Sequence, residues 1–212
     1  MKIWDLFADL LFPRLCLICG VEDQWLCLSC RLQLTEEAEL LPQQAAPLPI
    51  FACLPYEHRM QHLIQGYKYD GLHELAHALA KIMCPMVEKI AAQCKNPLLI
   101  PAPMSEKRRR ERGFDHMELL VQSLGAMTNI STAAAALKPQ HTPPQVGLNR
   151  GQRQINLRDA FQWDERITIA EHDCIIIDDV CTTGSTITAI ASALQKGHPA
   201  SLRGLTLAYE PL

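Results

Sequence analysis

The run Ile175-Ile176-Ile177-Asp178-Asp179-Val180-Cys181-Thr182-Thr183-Gly184-Ser185-Thr186 carries the densest chemistry of this 212-residue chain. An apolar segment ends in two adjacent carboxylates, and a short hydroxyl loop around one glycine follows. Neighbouring side chains on a strand point to opposite faces, so Asp178 and Asp179 diverge. A diverging pair does not grip one ion between them. It suits the vicinal hydroxyls of a ribose, with any magnesium held through water and substrate oxygens. Thr182, Thr183, Ser185 and Thr186 supply hydroxyls and consecutive amides, and Gly184 permits close approach or positive φ. A helix starting near Thr186 adds its positive end, completing a nest for one phosphate group. The chemistry indicated is a sugar-phosphate site. The same residues are also compatible with a buried strand, a solvated turn and a capped helix, since Asp and Thr cap helices everywhere.

These groups need a strand beneath them and a helix behind. Residues 174–177 are short, apolar and β-branched, as a buried parallel strand requires. Ligands of open α/β sheets collect beyond the carboxyl ends of such strands. The following helix is expected over about 186–195. Further strands are expected at 50–54 and from Pro97 to Ile100. Residues 72–92 read as a helix with Leu75, Leu79, Ile82 and Met86 on one face. Lys68, within Tyr67-Lys68-Tyr69-Asp70-Gly71, reads as part of a turn between two helical stretches.

Pro101-Ala102-Pro103 reads as a stiff loop leaving a strand, followed by Lys107, Arg108, Arg109, Arg110 and Arg112, broken only by Glu111. Guanidinium forks match phosphate oxygens, so a pyrophosphate site is one reading. A solvated charged loop is another, and a surface for single-stranded nucleic acid a third. Gly113 and Phe114 lead into a helix ending near Met127. Residues 139–161 hold Pro139, Pro143, Pro144, Gly147 and Gly151 among Arg150, Arg153 and Arg158. That loop is too long for a plain connection and reads as a lid over substrate or a disordered surface loop.

Two Cys-x-x-Cys knuckles, Cys16/Cys19 and Cys27/Cys30, are seven residues apart. Four thiolates give the tetrahedral set that structural zinc prefers and leave no open position for chemistry. Gly20 fits the tight turn after the first knuckle. The alternatives are a redox dithiol or four metal-free thiols. Residues 1–40 are therefore read as an N-terminal helix and ribbon, and 41–212 as the main domain. Cys53, Cys84, Cys94, Cys174 and Cys181 are scattered, most of them expected as buried apolar residues.

The hydrophobic share is 48%, the charged share 20% and the net charge −3, which suits one α/β domain plus something small and argues against a strongly basic surface overall. No apolar run approaches the roughly 18 residues of a membrane span. Ile3, Trp4, Phe7, Leu10 and Leu11 lie at helical spacing and read as a short amphipathic helix packing on the body or on a partner. Asp5 and Asp9 interrupt it, and no signal cleavage pattern follows. Nine cysteines without an export signal argue against a disulfide framework and for a cytoplasmic chain with reduced thiols.

Residues 175–186 resemble the phosphoribosyl pyrophosphate (PRPP) signature of type I phosphoribosyltransferases. The loop is not a Walker A, because no lysine follows the glycine. Nor do the acids have the Asp-x-Asp spacing of a phosphatase nucleophile. The chain as a whole resembles the ComF family of competence-associated, phosphoribosyltransferase-like proteins. The resemblance rests on the cysteine ribbon, Tyr67-Lys68-Tyr69 with Gly71, Pro101-Ala102-Pro103 and Arg112-Gly113-Phe114. Gln145, Leu148, Arg153, Asn156, Ala160 and Phe161 add to it, as does the acid string.

The resemblance implies a type I phosphoribosyltransferase fold: a mostly parallel sheet flanked by helices, a flexible hood at about 139–161, and a small N-terminal zinc ribbon. It implies ribose contacts from Asp178 and Asp179. The 5′-phosphate would be wrapped by Val180, Thr182, Thr183, Gly184, Ser185 and Thr186. A pyrophosphate loop over 101–108 would include Pro103, Met104, Ser105 and Arg108. The catalytic residues would be Asp178, Asp179, Lys68, Arg112 and Arg153: the two acids orient the ribose and help hold magnesium, while Lys68, Arg108, Arg112 and Arg153 balance the charge of the leaving pyrophosphate, with PRPP and magnesium as ligands and zinc on Cys16, Cys19, Cys27 and Cys30. An acceptor nitrogen would displace pyrophosphate. Family members are linked to natural transformation, so a second reading is a module that senses PRPP, a nucleotide or a DNA end without turnover. Its ribbon would dock single-stranded DNA or a DNA-processing protein. Two departures stand out: Ser105 replaces a common histidine, and Asp115-His116 replaces the usual Asn-Gln. The family motif does not define the acceptor, the partner or the oligomeric state.

Overall fold

The computed structural model describes residues 13–22, 24–43, 48–139 and 160–210. In chain order its elements are α1 (Leu28–Glu37), β1 (Leu41–Pro42), β2 (Ile50–Pro55), α2 (His58–Tyr69), α3 (Leu75–Ala91), β3 (Pro97–Pro101), α4 (Glu106–Arg112) and α5 (His116–Thr128). There follow β4 (Ser131–Thr132), β5 (Ala136–Leu137), β6 (Gln162–Trp163), β7 (Asp173–Cys181), α6 (Ser185–Leu194), one 3₁₀ turn (Gln195–Gly197) and β8 (Ser201–Tyr209). The main sheet has the order β1-β2-β8-β7-β3-β4. Only β1 runs antiparallel within it. β5 and β6 form a separate antiparallel pair. The fold is thus α/β, a mostly parallel sheet between helices, as expected.

The alternation along β7 decides what each acid faces. Ile175 and Ile177 pack into the core formed with α2, α3 and α5, whereas Cys174 and Ile176 pack into the core under α6. All four are fully buried. With a period of two, Asp179 shares the α2/α5 face and Asp178 the α6 face. Gly204 in β8 lets α6 close on the sheet: a Cβ there would lie 2.7 Å from Ile187 Cγ2.

The strand expected over 174–177 extends to Cys181. β8 carries the ladder on through Val180↔Ala208 and Cys181↔Tyr209, while β3 stops at Pro101 opposite Ile177. Beyond Ile177, β7 therefore has one open edge, and the acids line it.

Three local expectations are corrected. The basic cluster is not a loop but helix α4, which buries no side chain. Ser105 caps it, Glu106–Arg110 and Lys107–Glu111 pairs brace it, and Gly113 ends it at φ 78°. Lys68 lies in the last turn of α2 rather than in a turn, because Tyr67 is drawn into the core. The helix expected over 72–92 begins at Leu75, after Gly71 at φ 69°, and its predicted face is buried. Of the scattered cysteines, Cys53, Cys174 and Cys181 are buried, and Cys84 and Cys94 are half-buried.

The ribbon shares the main core: Cys16, Leu26, Cys27, Cys30 and Leu34 are continuous with the α2–α3 layer. The amphipathic stretch at 3–11, Gln145, Leu148, Arg150, Arg153, Asn156, Arg158 and most of the expected hood lie outside the described residues. Ala160 and Phe161 are described and buried. No helix among the described residues is long and apolar enough to cross a membrane.

Candidate functional site

Asp178 and Asp179 are adjacent but electrostatically opposite. Asp179 Oδ2 lies 2.7 Å from Lys68 Nζ and 2.9 Å from His116 Nε2. Burial alone would raise its pKa, but the His116 hydrogen bond and the Lys68 charge outweigh this and hold the carboxyl below its usual range. Asp178 has no such partner. Burial and the neighbouring Asp179 charge push it up to about 7, against the pull of the Asp179 amide, Lys68 and Lys138. Its Oδ1 accepts a 2.9 Å hydrogen bond from the Asp179 N–H.

The hydroxyl loop follows directly. Gly184 takes φ 69° and caps α6. Thr183 Oγ1 donates to Ser185 Oγ at 2.9 Å and accepts from the Ser185 amide at 3.4 Å. Thr182 and Thr183 are exposed, and Ser185 and Thr186 are half-buried. Thr182, Gly184, Ser185 and Thr186, with Asp178 and Val180, line a small depression at the positive end of a ten-residue helix. Such an arrangement holds one phosphate group.

Across the open edge of β7 lie the cations that follow β3. Lys107 pairs with Glu111, Arg110 with Glu106, and Arg109 with both Asp115 and Glu118. Arg108 and Arg112 have no carboxylate partner among the described residues. Arg112 instead places NH1 3.2 Å from His116 Nδ1 and stacks 4.9 Å over the Tyr69 ring. Pro103, Met104 and Ser105 form the half-buried exit from β3, and Ser105 Oγ accepts from the Arg108 amide at 3.4 Å. A cavity of about 370 Å³ opens beside this exit, between Pro103, Met104, Lys138 and Gln162. Lys138 is half-buried there: burial lowers its pKa, nearby Arg108 adds to that, and Asp178 opposes it.

The four ribbon thiols form one compact cluster. All Sγ atoms lie within 4.8 Å of one another, and Cys19 and Cys27 are 3.7 Å apart. A tetrahedron with Zn–S bonds of about 2.3 Å has S–S edges of about 3.8 Å, so the set fits a structural ion. Gly20 turns at φ 74°, and the Cys27 amide donates to Cys16 Sγ at 3.5 Å. Burial would raise the Cys16 pKa, but backbone amides of Cys27, Cys19 and Ile18 outweigh it and lower the thiol to about 6. Burial and the three other thiols push Cys30 up. Among the described residues no other Cys, His, Asp and Glu group of this kind exists.

No family model matches the chain. It is 27% identical over 219 aligned positions to DNA utilization protein YhgH of Escherichia coli, covering 90% of this chain and 95% of that protein. It is 31% identical over 143 positions to competence protein F of Haemophilus influenzae, covering 63% of this chain and 61% of that one. The chain thus has homologues named as DNA utilization and competence proteins. Competence protein ComFC of Bacillus subtilis is 28% identical over 159 positions, 72% of this chain and 60% of that one. Among solved structures, a hypoxanthine phosphoribosyltransferase of Trypanosoma cruzi overlaps with TM-score 0.40 and 15% identity, covering 67% of this chain and 66% of that one. A glutamine PRPP amidotransferase from B. subtilis overlaps with TM-score 0.45 and 11% identity, covering 67% of this chain and 30% of that one.

Measured against the ComF pattern, the departures acquire physical roles. Asp115 caps α5, accepting from the Met117 and Glu118 amides at 3.1 Å each, as an asparagine would. His116 reaches across to Asp179 and was absent from the residues the sequence singled out for the site. Its signal was present: it departs from the ComF pattern two residues after Phe114. Lys138 was also missed, and a lone lysine before Pro139 carries no spacing signal. Lys68, Asp178, Asp179 and the 182–186 loop are brought together. Ser105 and Arg108 stand across the open edge of β7, and Arg153 lies outside the described residues.

Proposed function

We propose that the chain binds magnesium–PRPP across the tip of β7 and transfers its phosphoribosyl group to an acceptor nitrogen, releasing pyrophosphate. The observation that carries this reading is the pair of divergent acids opening into the 182–186 loop on a stretch of β7 that is paired with β8 but open on its other edge. The loop amides and the α6 end hold the 5′-phosphate. Asp178 and Asp179 receive the ribose hydroxyls from two sides. Pro103, Met104 and Ser105 shape the diphosphate side, and Arg108, Arg112, Lys68 and Arg153 balance its charge. Magnesium enters as part of the substrate, because the diverging acids make no cage for a bare ion.

The acceptor nitrogen's lone pair attacks the anomeric carbon as the carbon–oxygen bond to diphosphate breaks. Pyrophosphate leaves with that electron pair. The acceptor's proton passes to Asp178, whose pKa of about 7 suits a base at neutral pH. Positioning and charge balance supply the rest. The setting is DNA handling in the cytoplasm, with zinc as a structural ion in the ribbon.

The names of the relatives, DNA utilization and competence proteins, favour a second reading: a PRPP-sensing adaptor for single-stranded DNA that does not turn over. One comparison separates the two. The protein is incubated with magnesium–PRPP and a panel of bases while pyrophosphate is followed. Acceptor-dependent release that disappears in Asp178→Asn/Asp179→Asn supports transfer. PRPP binding without release for any base refutes it. A salt-dependent shift of single-stranded DNA that survives both substitutions supports the adaptor.

A further inference from the structure

We propose that Lys138 is a further substrate-binding residue, whose ammonium joins Arg108 in holding the diphosphate oxygens of magnesium–PRPP. This contact rests on the PRPP reading.

Lys138 is positioned by the small antiparallel pair. Leu137 of β5 pairs with Gln162 of β6, so Lys138 and Phe161 come next on the two strands. The Lys138 Nζ stands 5.1 Å from the centre of the Phe161 ring. That ring is buried in the core under α6, with Ile176 and Ile187. A fixed aromatic face orients the end of a flexible side chain and attracts its charge, but it supplies no counter-ion. An ammonium only donates hydrogen bonds, and among the described residues Lys138 finds neither an acceptor nor an ion-pair partner.

The two acids of β7 each have a lysine near them, and the lysines are used differently. Lys68 sits 2.7 Å from Asp179 and neutralises it. Lys138 and Asp178 feel each other's charge without forming an ion pair. Arg108 is also close enough to disfavour the Lys138 charge, and it does so more than Asp178 offsets. Half-buried like charges without a counter-ion are unfavourable until an anion joins them.

The place of that anion follows from the cavity beside the β3 exit, which Lys138 lines together with Pro103 and Met104. On the PRPP reading these two residues shape the diphosphate side, and Arg108 balances its charge. Lys138 therefore reaches the diphosphate from the β5–β6 side, while the 182–186 loop holds the 5′-phosphate. Its signal in the sequence was weak, because one lysine before a proline has no partner in spacing.

The test uses the full-length, zinc-loaded protein with two variants. Lys138→Met removes the charge and keeps an unbranched side chain against the Phe161 ring. Lys138→Arg keeps the charge. Calorimetry at neutral pH follows magnesium–PRPP, magnesium–pyrophosphate and ribose 5-phosphate, the last of which lacks the diphosphate. The methionine variant is expected to bind PRPP and pyrophosphate about ten- to hundredfold more weakly and ribose 5-phosphate within about twofold of wild type. The arginine variant is expected within about fivefold of wild type for all three. Without ligand, the methionine variant should unfold at or above the wild-type temperature, because it gives up a charge that the fold does not pair. A methionine variant that binds PRPP as wild type does overturns the assignment. So does one that loses PRPP and ribose 5-phosphate equally, or one that unfolds more than about 4 °C below wild type, which would make Lys138 a brace for β5 and β6. These outcomes leave the PRPP reading standing. Wild type that binds none of the probes refutes that reading, and the Lys138 contact falls with it.

Discussion

Asp178→Asn is expected to make the protein more stable at alkaline pH while weakening its affinity for magnesium–PRPP. The folded pKa of Asp178 is raised from the ordinary 3.8 to about 7 by burial and the Asp179 charge. Between those values the folded chain holds this proton and the unfolded chain does not. Stability must therefore fall as pH rises through that window and level off above it. Each pKa step is worth about 1.4 kcal/mol, so the rise bounds the cost of the ionised group at about 4 kcal/mol. Relaxation of Lys68, Lys138 and water around a half-buried group halves that to about 2 kcal/mol. Asparagine does not titrate, and its Oδ1 still accepts the Asp179 amide. Urea unfolding at about pH 4.5 and about pH 8 measures the difference. The variant and wild type should be nearly equal at the lower pH, with the variant ahead by about 2 kcal/mol at the higher. Calorimetry on the same samples should show at least about tenfold weaker PRPP binding, from the lost charge-assisted contact. Parallel stability profiles, or a variant weaker than wild type at the higher pH, would refute the reasoning.

Lys68→Met leaves Asp179 with His116 as its only described partner and should destabilise by about 1.5–3 kcal/mol at neutral pH. Because the Asp179 pKa is lowered on folding, that contribution is present above the ordinary carboxylate pKa and disappears as pH falls through the folded value. Urea unfolding across pH checks it. Gly184→Ala forces a Cβ into φ 69°; a cost of about 1–2 kcal/mol and weaker PRPP binding are expected, read by thermal unfolding and calorimetry. Purified protein should carry about one zinc equivalent, and chelation should release it and lower the unfolding temperature. Metal content below about half an equivalent would contradict the four-thiolate site.

The parts of this structure that were legible are those whose information is local. Three isoleucines before two acids specify a buried strand, and period two alone separates Asp178 from Asp179. Two Cys-x-x-Cys knuckles specify their own cluster. The basic stretch misled because α4 buries nothing, so it has no apolar period to read. Its true signals were Ser105, the i,i+4 charge pairs and Gly113. Lys68 was drawn into a turn by the Asp70-Gly71 that follows, whereas burial of Tyr67 keeps the helix going. His116 and Asp179 meet across 63 residues of chain. No local pattern encodes that meeting; it depends on α5 and β7 facing each other in the finished core.

The ribbon and the acids, far apart in sequence, are joined through α2. Leu17, inside the first cysteine knuckle, lies so close to Gly66 that a Cβ there would stand 2.9 Å from its Cδ1. Glu37 at the end of α1 grips Arg59 of α2 with hydrogen bonds of 2.6 and 3.2 Å. Arg14, just before the knuckle, holds Glu74 beyond the end of α2 at 2.5 Å. The missing side chain of Gly66 is what admits Leu17 against α2. One residue on, Tyr67 is pinned to the His116 backbone; one further, Lys68 meets Asp179. The lysine that keeps Asp179 ionised is therefore held from two sides, by the cysteine ribbon through Gly66 and by α5 through Tyr67. Asp178, on the opposite face of β7, touches neither support, which is why two adjacent and chemically identical residues titrate in opposite directions.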